Sequence, residues 1–158
     1  MILAIIYTIV FFLVIHFSPF FKAELFGIKK IKPLSVVFLL KVLCGFGLTW
    51  IYTKYYTDRQ TADIFKYYDD SLVIFSAFEN HNYSDYFKML FGISNDSAYF
   101  DDTYYKHMNH WYRLYDFGTY NDNHTIIRFN ALVMLFCRGS FHGHTVFMCF
   151  VSLWGLTA

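Results

Sequence analysis

The sequence predicts a mainly α-helical, polytopic membrane protein with a juxtamembrane helical loop outside the membrane. Two observations lead to this class. The 158 residues are 56% hydrophobic and 16% charged, whereas a soluble domain carries about 25% charged residues. Long apolar runs recur along the chain, and the charged residues are concentrated between them. Lipid is therefore the expected solvent for the excess apolar surface, because a small soluble fold needs a polar surface.

The first apolar run extends from Met1 to about Phe20. A stretch of about 20 apolar residues is long enough to cross the hydrocarbon core of a bilayer. No lysine or arginine precedes the run, and bulky rings at Phe20 and Phe21 stand where a signal peptidase needs small side chains. We therefore expect a retained membrane span.

The second run, Leu34 to Tyr52, follows Pro33, a residue that suits the first turn of a helix. Lys41 interrupts its apolar character. The long side chain of Lys41 either reaches back to the interface or serves as a functional cation inside the membrane. Both interpretations are open at the level of sequence.

The loop between the two runs, residues 21–32, has four lysines against one glutamate. Basic loops stay on the cytoplasmic side, so residues 57–124 are expected on the opposite, extracytoplasmic side of a bacterial inner membrane. Between Thr57 and Asn123 there are eleven acidic and five basic side chains. Apolar residues at helical spacing predict an amphipathic helix over 64–78 that lies along the membrane surface. A short second helix is predicted at Tyr83 to Phe91, and turns or loops from there to Asn123.

The last part of the chain contains two more apolar runs. Thr125 to Cys137 is too short to cross a bilayer and predicts an interfacial or re-entrant helix. The run after His144 reaches Ala158 before a full span is complete, so we expect a fragment of a longer protein. The chain thus divides into residues 1–56 with two spans, residues 57–124 with the acidic and aromatic loop, and residues 125–158.

Carboxylates just beyond the second run are the first candidates for chemistry: Asp58, Asp63, Asp69 and Asp70. A carboxylate at the lipid boundary can act as a general base or bind a divalent metal that holds a phosphate. The alternative is a solvated helix face, with Asp58 as the residue that caps the helix.

Residues 52–71, YTKYYTDRQTADIFKYYDDS, resemble the start of the first extracytoplasmic loop in GT-C membrane glycosyltransferases. In that superfamily an acidic residue opens a juxtamembrane helix with an acid-x-x-basic-aromatic pattern, matched here by Asp63, Lys66 and Tyr67. The resemblance implies that Asp63 is the catalytic base, with Asp58 in reserve, and that the donor is a sugar on polyprenyl phosphate. Lys66, Tyr67 and Asp70 are then candidate substrate-binding residues. Two predicted spans precede the loop, where the family usually has one.

Arg128, on the short apolar segment after the loop, is a further substrate-binding candidate. A guanidinium near the membrane face can bind a lipid phosphate through two hydrogen bonds, or it can simply reach out to the headgroups. Arg113 is a weaker candidate of the same kind. His107 and His110 follow Asp101 and Asp102 at a spacing that could converge on a metal, or they are ordinary loop histidines.

Two functions follow from these residues. One is a glycosyltransferase of cell-envelope glycan synthesis, with membrane lipid and a lipid-linked sugar donor as partners. The other is a non-catalytic polytopic membrane component, a transporter portion or assembly subunit with a docking loop. A formal net charge of +1 provides no basic field of the kind that nucleic-acid binders carry. Neither a resident cofactor nor a metal site is predicted, although a divalent metal at the carboxylates is compatible with the sequence.

Overall fold

The computed structural model describes residues 1–18, 21, 33–56, 59, 62–112 and 123–157, without the side chains of Asp63 and Thr157. Within this part the chain is mainly α-helical and has no strand, which confirms the predicted helical class. The elements are listed here in chain order: α1 Ile2–Phe17, α2 Pro33–Tyr55, α3 Asp63–Glu79, α4 Tyr83–Phe91, α5 Ala98–Thr103, a 3-10 turn Tyr105–His107, α6 Asn123–Cys137 and α7 Phe141–Thr157.

The predicted helices over 34–52, 64–78, 83–91 and 125–137 all appear as helices. The segment predicted as turns and loops differs, because in its described part α5 and the 3-10 turn are present. Among the described helices, α2, with 23 residues, is long and apolar enough to cross a membrane by length and composition. Helices α1 and α7 are apolar but shorter.

The helices form two compact units: residues 1–51 with 140–158, and residues 52–139. These units cut across the three predicted segments, because α6 belongs with the acidic loop rather than with the last apolar run.

In the first unit, α1 and α7 pack against each other. The ring of Phe11 on α1 stacks on Phe150 at 4.2 Å and meets Phe147 and Phe38 edge-on. Lys41 donates a hydrogen bond of 2.9 Å from Nζ to Ser152 Oγ on α7. The cation noted in the sequence is therefore bound to a hydroxyl of a neighbouring helix in this unit.

In the second unit, α3 is the central helix and packs against both α4 and α6. Its buried positions include Phe65, Tyr68, Ile74 and Ala77. Apart from the undescribed side chain of Asp63, Glu79 is the one exposed residue of α3. The buried side chains of α3 pack against its neighbours, while half of its described side chains are partly exposed. That this helix lies along a membrane surface stays a prediction.

Helices α4 and α6 lie side by side. The hydroxyl of Tyr86 on α4 donates to the carbonyl of Ala131 on α6 at 3.0 Å. Helix α4 ends at Gly92, whose φ of +69° is the left-handed conformation typical of a residue after a helix. The chain then turns toward α5.

Candidate functional site

The second unit contains a pocket of about 340 Å³, which is within the roughly 300–1,000 Å³ range of small-molecule sites. It lies where the start of α5, the 3-10 turn and the first turns of α6 meet. Its lining residues are Asn95, Asp96, Ser97, Ala98, Asp101, Tyr105, Trp111, Tyr112, His124 and Arg128.

One wall of the pocket is a stack of three aromatic rings. Trp111 is parallel to Tyr105 at 4.4 Å and to His124 at 3.8 Å between ring centres. Two parallel rings at these distances are too wide to share one face of the indole, so they lie on opposite faces. The Asn95 amide donates to the Tyr105 hydroxyl at 2.8 Å, and His124 Nε2 donates to the Trp111 carbonyl at 2.6 Å. The stack is thereby held at both ends, which makes a rigid wall.

The rings of this stack are neutral near pH 7. Burial raises the pKa of Tyr105 to about 12. Burial also lowers the pKa of His124 below its usual 6.5, and the nearby Arg128 lowers it further, against an opposing hydrogen bond to the Trp111 carbonyl. Because the carbonyl can only accept, the proton of the neutral imidazole is on Nε2 and the lone pair is on Nδ1.

Arg128 supplies the positive charge of the pocket. Its Cζ lies 5.5 Å from the Trp111 ring centre, within the range of a cation–π contact. Its Nε is buried and has no hydrogen-bond acceptor among the described residues. The guanidinium also lies close to Gly92, where an added Cβ would be 2.9 Å from one terminal nitrogen. The guanidinium thus contacts both the Trp111 ring and the Gly92 backbone.

Two carboxylates, Asp96 and Asp101, line the pocket together with Arg128. The hydroxyl of Tyr112 donates to Asp101 at 2.6 Å, which fixes the orientation of that carboxylate. Tyr112 itself is 56% exposed, so its ring is open to a ligand. The pocket therefore combines a cation, hydrogen-bond acceptors and an accessible aromatic ring.

Of the residues predicted from sequence to act on a substrate, Arg128 lines this pocket. Asp70 does not line the pocket. It is 1% exposed, and its two carboxylate oxygens accept backbone N–H bonds from Asn109 at 2.9 Å and His110 at 2.8 Å. These bonds anchor the segment that leads directly into Trp111. Asp70 therefore acts on the pocket indirectly, as a positioning residue.

Lys66 and Tyr67 are on α3 and do not line the pocket. The Lys66 ammonium lies 5.5 Å from the Tyr67 ring centre, and Tyr67 packs against the imidazole of His110. Asp69 forms a two-point ion pair with Arg59, both N···O distances being 2.7 Å.

Asp63 begins α3, where a negative charge is favourable at a helix N-terminus. Its side chain lies outside the described part of the chain, as do Asp58 and Arg113. The residue that caps α3 is Ala62 rather than Asp58. Asp63 and Asp58 as catalytic residues remain predictions.

The two histidines considered for metal binding lie near the end of the described residues 62–112 of the second unit. His107 ends the 3-10 turn, and the backbone of His110 binds Asp70. In the described part of the chain no group of three histidine, cysteine or acidic side chains is placed to hold a metal ion.

Sequence reasoning missed Asn95, Asp96, Trp111, Tyr112 and His124 as pocket residues. One available signal was the spacing of His124 and Arg128, four residues apart and so on the same face of a predicted helix. The others come from a segment without periodicity, and only the tertiary contacts bring them together.

Comparisons with protein-family models, with curated proteins and with solved structures found no match to this chain.

Proposed function

We propose that this chain acts in a polytopic membrane glycosyltransferase of cell-envelope glycan synthesis, and that the pocket around Arg128 receives the phosphate-linked sugar of a polyprenyl-phosphate donor. One observation carries the proposal. The guanidinium of Arg128 lines a pocket, its Nε is buried without an acceptor, and it forms no ion pair with a carboxylate in the described part of the chain.

An anionic ligand would supply the acceptor that this guanidinium lacks among the described residues. A buried donor without an acceptor costs about 1–3 kcal/mol, and more when it is charged. The planar fork of arginine matches two oxygens of a phosphate, which makes phosphate recognition by two hydrogen bonds the natural use of the group.

The remaining lining suits a sugar. The carboxylates Asp96 and Asp101 and the side chains of Asn95 and Ser97 offer acceptors and donors for hydroxyl groups. The exposed ring of Tyr112 next to Asp101 can pack against the apolar face of a sugar ring. The volume suits the headgroup of the donor, with the prenyl chain outside the pocket.

The general base has two alternative assignments. The resemblance to GT-C enzymes assigns it to Asp63, whereas the pocket offers Asp96 and Asp101 beside Arg128. Either would take the proton of an acceptor hydroxyl as that oxygen forms the new glycosidic bond and the polyprenyl phosphate leaves. Conversion of the true base to its amide (Asp63→Asn, Asp96→Asn or Asp101→Asn) should abolish transfer while donor binding is retained.

The donor site is tested with Arg128→Lys, which keeps the charge but removes the fork. Binding of a short-chain polyprenyl-phosphate hexose to membranes that contain the full chain should weaken about 10- to 100-fold. Arg138→Lys is the matched control, since Arg138 is an exposed arginine just after α6, and it should bind as the parent does. Unchanged binding by Arg128→Lys and Arg128→Ala would reject the donor site and favour the non-catalytic docking alternative.

A further inference from the structure

Helix α6 is apolar on both of its sides. The inner side packs on α3 and α4 through buried residues such as Ile127, Ala131 and Met134. The outer side carries four large hydrophobic side chains that are 40% to 53% exposed: Ile126, Phe129, Leu132 and Phe136. A surface helix in water normally has a polar outer side, so an outer side with four exposed hydrophobic side chains indicates an apolar neighbour.

Helix α4 extends this outer side. Tyr86 on α4 bonds to Ala131 on α6. Gly92, six residues after Tyr86, lies next to the side chain of Arg128, which is three residues before Ala131. The two helices are therefore antiparallel neighbours. Both turn their buried side toward α3, so their outer sides face the same way. Phe87 and Phe91, 45% and 65% exposed with stacked rings, continue the apolar surface on α4.

This α4–α6 face, defined by Phe87, Phe91, Ile126, Phe129, Leu132 and Phe136, has no charged residue in its described part. The charged residues of α4 point to α5 instead: Asp85 accepts from Tyr99 and Tyr104, and Lys88 lies over the Phe100 ring. The exposed residues of the two helices that carry a polar group are Tyr83, Ser84 and Thr125, and in each the polar group is a hydroxyl.

We propose that the α4–α6 face is seated on the lipid bilayer, so that the second unit is held against the membrane surface by these two helices. The face offers hydrocarbon and almost no hydrogen-bonding groups. A protein partner would be expected to find about one hydrogen bond per 100–200 Å² of interface, whereas the acyl chains of lipids need none.

The connectivity of the chain supports lipid as the neighbour. Helix α6 ends at Cys137 and the apolar helix α7 begins at Phe141, so three residues connect them along the chain. Upstream, the second unit follows directly on α2, the helix that is long and apolar enough to span a bilayer. Arg138, exposed immediately after α6, is placed to meet anionic headgroups.

The inference is independent of what the pocket binds. The inference differs from the sequence expectation in its location, because that expectation put α3 on the membrane, whereas the exposed large hydrophobic side chains of the second unit's long helices are on α4 and α6.

The test uses the full chain in phosphatidylcholine–phosphatidylglycerol vesicles, with a nitroxide spin label at Phe87→Cys, Phe129→Cys or Leu132→Cys. Cys44 and Cys149 are replaced by alanine. Burial raises the pKa of Cys137 to about 12, so this thiol stays protonated and unlabelled. Lys106→Cys is the control, since the Lys106 side chain is 59% exposed on the 3-10 turn. Because the labelled positions are exposed, we expect the core to stay intact, and circular dichroism of each labelled variant checks that the helices are retained.

We expect collisions with oxygen to exceed collisions with a water-soluble nickel complex at positions 87, 129 and 132, and the reverse at position 106. If the nickel complex reaches the three face positions as readily as position 106, the face is in water and the proposal is overturned. If neither reagent reaches them, the face is covered by protein, and the proposal is equally overturned.

Discussion

Gly92 sets the position of the Arg128 guanidinium. A Cβ at Gly92 would lie 2.9–3.1 Å from three guanidinium atoms of Arg128, so a larger residue would displace the guanidinium, and the positive φ of Gly92 strains any residue with a Cβ. We expect Gly92→Ala to lose about 1–2 kcal/mol of stability from the left-handed backbone and also to displace the guanidinium. Binding of the polyprenyl-phosphate hexose should fall at least tenfold.

Gly139→Ala is the matched control for this change. Gly139 also has a positive φ, +65°, but its nearest atoms would be Leu72 and Phe75 side-chain carbons at 3.4 Å or more. It should therefore lose similar stability in a thermal melt while binding stays unchanged. Equal loss of binding in both variants would show that Gly92 acts through stability alone.

His124 makes the second unit sensitive to acid. Its pKa is lowered in the folded protein by burial first and then by Arg128, while the hydrogen bond to the Trp111 carbonyl and, less strongly, Asp96 oppose the shift. Between that folded pKa and about 6.5 the unfolded chain takes up a proton that the folded chain excludes, so the free energy of unfolding decreases as pH falls below about 6.5. Above that pH the contribution is complete.

The measurement is the melting temperature in detergent at pH 7.5 and 5.5, for the parent chain and for His124→Gln. The glutamine amide can still donate to the Trp111 carbonyl but does not titrate. We expect a smaller decrease on acidification for His124→Gln. The same decrease in both proteins would mean that other groups are responsible.

At the scale of elements, α3 is the scaffold to which the non-periodic segment before Trp111 is attached. The attachment is the pair of backbone N–H bonds to Asp70, across 39 and 40 residues of chain. In Asp70→Asn one acceptor becomes an amide donor that faces a backbone N–H. We expect a loss of about 1–3 kcal/mol in unfolding free energy and weaker binding of the hexose donor, because Trp111 is released.

Asp69→Asn is the neighbouring control. Asp69 pairs with Arg59, whose side chain is 54% exposed, and exposed ion pairs contribute about 0–1 kcal/mol. Denaturant unfolding of the two variants should separate them clearly. If Asp69→Asn is as destabilising as Asp70→Asn, burial of the Asp70 carboxylate is not what matters.

At the scale of the whole molecule, the charge distribution predicts which side of the membrane the second unit occupies. The basic residues 21–32 are expected in the cytoplasm and residues 57–124 outside. In the chain with Cys44 and Cys149 replaced, Lys106→Cys should react with a membrane-impermeant maleimide added to intact bacterial cells. Reaction only after the cells are permeabilised would reverse the topology.

The sequence by itself determined where most helices lie. Tyr83–Phe91 and the core of Pro33–Tyr55 follow from local apolar spacing, Pro33 and Gly92, all of which act over a few residues. It also singled out Arg128, because a cation on an otherwise apolar helix is visible without any structure. Periodicity reports that one side of a helix is apolar, but it does not report what covers the other side.

Only the tertiary structure decided the rest. It packed α3 against α4 and α6, turned the outer side of these two helices to the surroundings, and brought Asp96, Tyr105, Trp111 and His124 to Arg128. These relations depend on contacts between residues tens of positions apart, such as Asp70 with His110. Such contacts leave no local pattern, because the free energy that selects them comes from burial and hydrogen bonding between elements rather than within one.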